Sequence, residues 1–146
     1  MKQRIHHLAQ LLALGFSTFV LVGCSGSGNV ASVNGNVSLD GTPLPGAYVV
    51  FTPTVPGGQA SAITDELGNY QLQYTREIRG AEIGEHTVRI TTFEGGNPDA
   101  DSPRPPTPEK LPSIYNSATE LKASVKAGKN KVDFSLYSSK GKPPRR

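Results

Sequence analysis

The fold is decided by residues 33–52, which read VNGNVSLDGTPLPGAYVVFT. Over residues 33–40, apolar or small side chains alternate with polar ones, which is the period of a half-buried β-strand. Asp40 and Gly41 then begin a turn, and residues 47–52 are rich in β-branched and aromatic side chains on both faces. The stretch therefore predicts a half-exposed strand, a reversal, and a more central strand.

The same kind of pattern recurs along the rest of the chain. Further strands separated by turn residues are predicted at 59–64, 70–74, 86–93, 121–126 and 131–136. Residues 127–130 are predicted to close a hairpin between the last two strands. The regular spacing predicts an all-β fold, a seven-stranded antiparallel Greek-key sandwich over residues 32–137, preceded by a signal-peptide helix.

Turn chemistry accounts for a small set of polar and glycine residues. The residues assigned to turns are Gly41, Gly46, Asp65 and Gly68. Asp65, Glu66 and Asn69 also place three oxygen-bearing side chains within five residues, so a calcium site is an alternative interpretation. The twelve-residue calcium-loop pattern is absent, which favours a hairpin turn in which Asp65 bonds its own backbone.

The N-terminal residues have the composition of a secretory signal peptide. Residues 1–23 begin with two basic side chains and no acidic one, and a nearly continuous apolar run follows over residues 8–22. The run ends in Leu21-Val22-Gly23-Cys24, which resembles a bacterial lipobox. The resemblance implies cleavage between Gly23 and Cys24, attachment of diacylglycerol and a further acyl chain such as palmitate to Cys24, and anchoring to a membrane.

The segments on either side of the predicted domain are polar. Residues 24–31 hold the lipidated cysteine and a short, flexible Gly/Ser-rich tether. Ser25 favours the outer over the inner membrane, because in the sorting rule of lipoproteins an aspartate at that position retains the protein in the inner membrane. Residues 138–146 form a basic tail that is predicted to be disordered, and its contact with anionic lipid stays open.

Charge and cysteine content exclude several classes of protein. The net charge is +3, but six of the 15 basic residues lie in residues 1–23 and 140–146. The nine that remain face 12 acidic residues, so a nucleic-acid-binding face is not expected. Cys24 is the only cysteine, which excludes a disulfide framework and a CxxC metal site.

Three motifs carry a family resemblance. In this sequence they read Gly35-x-Val37-x-Leu39-x-Gly41-x-Pro43, Thr64-Asp65-x-x-Gly68-x-Tyr70 and Gly84-x-His86-x-Val88-x-Ile90. Together they resemble the transthyretin-like carboxypeptidase regulatory domain, although a tyrosine is commoner in the family where His86 stands. The resemblance covers residues 32–137 and implies a seven-stranded prealbumin-like sandwich without catalysis.

One segment departs from the strand pattern. Residues 94–112 contain six prolines in 19 residues, a density that excludes them from a sheet interior. They are predicted to form a long exposed loop, and residues 111–116 to return it to the core. Four polar residues of this loop are candidate contact residues: Asn97, Asp99, Asp101 and Arg104.

The functional prediction is a non-enzymatic binding or structural module of the cell envelope. No cofactor motif is present, and the expected partners are the membrane and another envelope protein or glycan. A carbohydrate-binding module is an alternative, since Tyr48, Phe51, Tyr70 and Tyr74 could form an aromatic platform. A transthyretin-like hydrolase is a weaker alternative, because such enzymes use several histidines and the predicted mature chain has only His86, which is expected to pack within a strand.

Overall fold

The computed structural model describes residues 29–94 and 105–139, so the predicted signal peptide, Gly23 and Cys24 lie outside the described residues. Within them the chain is all-β, which confirms the predicted class. A single short 3-10 helix spans Ser113–Tyr115. The strands are β1 (Val30–Leu39), β2 (Thr42–Pro43), β3 (Tyr48–Pro53), β4 (Ala60–Ile63), β5 (Asn69–Gln71), β6 (Ala81–Glu82), β7 (Gly84–Thr91), β8 (Lys122–Val125), β9 (Lys129–Lys131) and β10 (Phe134–Leu136).

The first sheet is built around β1, the longest strand. Along one edge of β1, strands β2, β5 and β6 pair antiparallel to it. Along the other edge, β9 and β10 pair parallel to it. The inward side chains of β1 are those at alternate positions, from Ala31 through Val37, as its sequence period predicts.

The second sheet has the order β4-β3-β7-β8, and every neighbouring pair in it is antiparallel. Strand β3 lies between β4 and β7, in agreement with the central position predicted for residues 47–52. Val49, Val50 and Phe51 are all buried, because β3 is covered on both faces at its centre.

Apolar side chains from both sheets meet in one core. Phe134 of β10 contacts aromatic residues of both sheets, with its ring centroid 6.2 Å from that of Phe51 and 6.4 Å from that of Tyr70. Leu111 and Tyr115 are also buried in this core, so the segment that follows the proline-rich loop is held by its apolar side chains, as predicted.

The predicted hairpin between the last two strands is wrong. Strand β8 pairs with β7 in the second sheet, whereas β9 and β10 pair with β1 in the first. The turn between them is closed by Asn130, whose side chain accepts from the Lys126 N–H and donates to the Lys126 carbonyl. Alternation places the apolar side chains of both segments in the core but does not specify which sheet each segment joins.

The number and direction of the strands also differ from the prediction. Ten strands replace seven within the described residues, because the two-residue strands β2 and β6 are added and residues 129–136 are divided into β9 and β10. The parallel pairing of β9 and β10 with β1 departs from a purely antiparallel arrangement. Such pairing becomes possible because the chain crosses between the sheets after β8 rather than reversing within one.

Strand β1 defines two opposite ends of the molecule, roughly 30 Å apart. At the entry end the chain reaches β1 from Asn29, and Ile83 donates from its N–H to the Asn29 carbonyl. At the exit end β1 stops at Leu39, and Ser138 donates from its N–H to Asp40. Asn29 and Ser138 therefore lie at opposite ends of the two sheets.

Gly35 is the position at which β1 tolerates no side chain. A Cβ there would lie 1.7 Å from the Val132 carbonyl oxygen and 3.0 Å from the Tyr70 ring. We expect Gly35→Ala to lower the free energy of unfolding by about 3 kcal/mol through overpacking. The exposed neighbour provides the control, since Asn34→Ala should change stability by less than about 0.5 kcal/mol. Urea denaturation of both variants measures this, and equal stability of the two would contradict the packing argument.

Candidate functional site

A groove of about 350 Å³ opens at the exit end, on the outer face of the second sheet. We call it the exit groove, and its lining residues are Gly46, Tyr48, Ile63, Phe93 and Glu94. Tyr48 of β3 lies directly opposite Ile63 of β4 in the strand register. The exposed fractions are 39% for Tyr48, 67% for Ile63 and 57% for Phe93, so three large apolar side chains face solvent side by side.

The floor of the exit groove is held by a buried threonine. The Thr64 hydroxyl donates to the Leu44 carbonyl at 2.6 Å and accepts from the Ala47 N–H at 2.8 Å. The Thr64 carbonyl accepts from the Gly46 N–H at 3.0 Å. These bonds join the start of β3 to the end of β4, the two strands that carry Tyr48 and Ile63.

The turn glycines have the backbone conformation that their prediction requires. Their φ angles are positive at Gly41 (82°), Gly46 (68°) and Gly68 (75°). A Cβ on Gly68 would also lie 2.4 Å from the Val37 carbonyl oxygen. Gly68 is therefore required both by its left-handed conformation and by close approach to β1.

The Glu109 carboxylate joins the end of β7 to residues 109–111 of the loop, an arrangement that we call the Glu109 clasp. Its carboxylate accepts hydrogen bonds from the Thr91 hydroxyl, from the Thr92 N–H and hydroxyl, and from the Leu111 N–H. Partial burial alone would raise the pKa of Glu109, but these hydrogen bonds outweigh it and lower the pKa to about 2. The Lys110 N–H donates to the Thr92 hydroxyl, which completes the clasp.

The proline-rich loop begins at the exit groove and returns to it. Glu94 and Thr107 exchange backbone hydrogen bonds of 3.3 Å and 2.9 Å, so the two arms of the loop meet beside Phe93. The candidate contact residues of the loop, Asn97, Asp99, Asp101 and Arg104, fall within residues 95–104, outside the described residues. The described part of the loop contributes Glu109, which no sequence pattern indicated because its partners are 17 and 18 residues away.

The exit groove has the chemistry of a contact surface. Tyr48 and Phe93 offer aromatic rings, Ile63 offers an aliphatic side chain, and Glu94 offers one carboxylate. Rings of this kind stack on apolar faces of a ligand, while the Tyr48 hydroxyl and the Glu94 carboxylate can form hydrogen bonds with its polar groups. Histidine and cysteine are absent from the lining.

Of the four aromatic residues considered for a carbohydrate platform, only Tyr48 is exposed. Phe51 and Tyr70 are buried in the core. Tyr74 is half-buried and donates from its hydroxyl to Glu82 at 2.6 Å. The structure thus does not bring the four aromatic residues together. Tyr48 instead lines the exit groove with Phe93, which the sequence pattern had assigned to a strand and not to a site.

The Asp65 segment forms a self-bonded turn. One carboxylate oxygen of Asp65 accepts from the Leu67 and Asn69 N–H groups, and the other accepts from the Asn69 side chain. The backbone N–H of Asn69 is the largest cause that lowers the pKa of Asp65. Glu66 is exposed. Within residues 29–94 and 105–139 no three His, Cys, Asp or Glu side chains are grouped as metal ligands.

His86 lies in the core rather than in the exit groove. It is 1% exposed, its Nδ1 donates to the Gly84 carbonyl at 3.1 Å, and its ring centroid is 5.7 Å from that of Phe51. Its Nε2 has no hydrogen-bond partner among the described residues. His86 is therefore packed within its strand, as the alternating pattern predicts.

Comparison of the chain with protein-family models and with curated proteins finds no match. Among residues 29–94 and 105–139, no helix has the length and apolar character needed to cross a membrane.

The Glu109 clasp makes stability depend on pH. The pKa of Glu109 is lower in the folded chain than its ordinary value of 4.5, so the clasp stabilises the fold above pH 4.5 and loses its contribution as the pH falls toward 2. We expect Glu109→Gln to lower stability by about 1 kcal/mol at pH 7, where the hydrogen bonds to a charged acceptor are lost. The difference from the unmodified chain should shrink between pH 4.5 and 2.

Thermal unfolding at a series of pH values measures this effect. Glu94→Gln is the matched control, because Glu94 lies at the same end but its carboxylate is outside the clasp. A Glu109→Gln difference that stays constant down to pH 2 would contradict the assignment.

The Nε2 atom of His86 is buried and has no hydrogen-bond partner among the described residues. We therefore expect this nitrogen to contribute no stability to the core. We expect His86→Leu to leave the free energy of unfolding unchanged or to raise it by about 1 kcal/mol, because a buried acceptor without a partner is removed. Phe51→Ala, in contact with the same ring, should cost about 3–5 kcal/mol. Chemical denaturation distinguishes the two, and a loss above about 2 kcal/mol in His86→Leu would overturn the prediction.

Proposed function

We propose that the protein is a non-enzymatic lipoprotein of the bacterial cell envelope that is anchored through Cys24 and binds its partner in the exit groove. One observation carries the proposal. The groove, with its exposed Tyr48 and Phe93, lies at the exit end, whereas the chain enters β1 from the lipobox side at the opposite end. A chain anchored before residue 29 would thus carry the groove at the end of the domain that is remote from its attachment point.

The dimensions of the molecule support this arrangement. The five residues 25–29 follow Cys24, and a Gly/Ser-rich segment of that length spans roughly 12 Å. Strand β1 then adds roughly 30 Å between the entry end and the exit end. The exit groove would therefore stand about 40 Å from the bilayer surface, within reach of other envelope components.

The fold is proposed to be a prealbumin-like Greek-key sandwich of the carboxypeptidase regulatory type. Two sheets that share one apolar core support this, as do the turn glycines at positions 41 and 68 of the matching motifs. In this interpretation β9 and β10 count as one strand and β2 and β6 are short extensions, which leaves seven main strands. Ser25 supports placement in the outer membrane.

Anchoring is tested by replacing the cysteine. We expect Cys24→Ser to abolish incorporation of labelled palmitate and to release the protein from the membrane fraction, because the acyl chains supply the apolar surface that holds it there. Ser25→Asp is the companion variant. It should keep the label and move the protein from the outer toward the inner membrane. Continued palmitate labelling of Cys24→Ser would overturn the anchor.

Binding in the exit groove is tested by site-specific crosslinking in cells. A photo-crosslinking residue at Phe93 should capture one recurrent partner, while the same residue at Ser124, exposed on the same sheet, should not. Adding Tyr48→Ala should weaken the binding by about 1–2 kcal/mol, which is about 5- to 30-fold in affinity. A crosslink to a protein would identify a lipoprotein that binds another envelope protein. A crosslink to a glycan would identify a carbohydrate-binding module. Equal capture at both positions would contradict the proposal.

A further inference from the structure

The entry end combines exposed apolar tips with basic side chains. Val55, in the turn after β3, is 66% exposed, and Ile83, just before β7, is 38% exposed. The Thr54 N–H donates to the Glu85 carbonyl at 2.9 Å, and the Ile83 N–H donates to the Asn29 carbonyl at 2.7 Å. Both apolar side chains therefore lie at the end where the chain enters the first sheet.

Two lysines lie at the same end. Strand β8 ends at Val125, which pairs with Gly84 at the start of β7, so the following Lys126 extends past the entry end. Lys129 pairs with Ser32 near the start of β1. Both lysines are exposed, and the turn that joins them contains no acidic residue.

The strand register places two acidic residues, Glu82 and Glu85, at the entry end. Glu85 is exposed. Glu82 is half-buried, and its carboxylate accepts hydrogen bonds from the Tyr74 hydroxyl and the Gly58 N–H. Among residues 29–94 and 105–139, the charges at the exit end are mainly negative, with Lys110 against a set of exposed acidic residues: Asp40, Asp65, Glu66, Glu94 and Glu109.

We propose that the entry end is a membrane-contact surface, on which Val55 and Ile83 enter the headgroup region of an anionic bilayer while Lys126 and Lys129 contact its phosphates. The inference rests on the lipid anchor of the proposed function. The five residues 25–29 keep the entry end within about 17 Å of the acylated cysteine. Apolar tips flanked by lysines are the side chains that an anionic interface accepts, and the carboxylates of the exit end are repelled by it.

The contact orients the domain as well as tethering it. A tether alone permits the domain to lie on its side, which would bring the exit groove toward the lipid. With the entry end seated on the headgroups, β1 stands away from the bilayer and the exit groove faces the opposite direction. The membrane-contact surface thus keeps the exit groove directed away from the bilayer.

The test uses the full-length acylated protein in vesicles of phosphatidylcholine with or without phosphatidylglycerol. Since Cys24 is the only cysteine and is acylated, a cysteine introduced by Val55→Cys, Ile83→Cys or Leu67→Cys is a unique site for the fluorophore NBD. Leu67 is the matched control, because it is 67% exposed against 66% for Val55 but lies near the exit end. All three positions are at the surface, so the fold is retained.

We expect NBD at positions 55 and 83 to shift to the blue and to be quenched by brominated lipid at least about twofold more than NBD at position 67. Lys126→Glu together with Lys129→Glu should reduce this quenching only in vesicles that contain phosphatidylglycerol. Equal quenching at positions 55 and 67 would overturn the membrane contact. Flotation distinguishes the two proposals: protein that floats with the vesicles without this difference keeps its anchor and lacks the contact, and protein that does not float overturns both.

Discussion

The whole first sheet depends on hydrogen bonding along both edges of β1. Strands β2, β5 and β6 pair on one edge and β9 and β10 on the other. This double pairing requires Gly35, above which the Val132 carbonyl oxygen leaves no room for a Cβ. The Tyr70 hydroxyl donates to the same carbonyl at 2.7 Å, and burial raises the pKa of Tyr70.

The direction of β1 determines which turns lie at each end of the molecule. Because β1 runs the length of the molecule, the N-terminal segment meets one end and the aromatic groove forms at the other. The turn after β3 and the turn after β8 come to the entry end, and the turn after β7 comes to the exit end. Within the described residues, the lysines of the turn after β8 and the carboxylates near the exit end are separated in the same way.

Much of the candidate site arises from contacts that are distant in sequence. Tyr48, Ile63 and Phe93 are separated by 15 and 30 residues, and nothing in the local pattern of any one of them indicates the others. Glu109 reads as a polar residue of a proline-rich loop until the structure places it on Thr91 and Thr92. The Asp65 turn, in contrast, was predictable, because its hydrogen bonds reach only two and four residues along the chain.

Local sequence patterns were enough to predict the all-β class, the positions of most strands, the burial of His86 and the turns at Gly41 and Gly68. Each of these features depends on side-chain alternation or on the backbone conformation of a few neighbouring residues. Three-dimensional packing alone selected the sheets that β8 and β10 join, the parallel pairing with β1, and the grouping of Tyr48 with Phe93. The physical reason is that a period of two specifies which face of a strand is buried. It carries no information about the neighbouring strand, which is chosen by the summed burial and hydrogen bonding of the whole core.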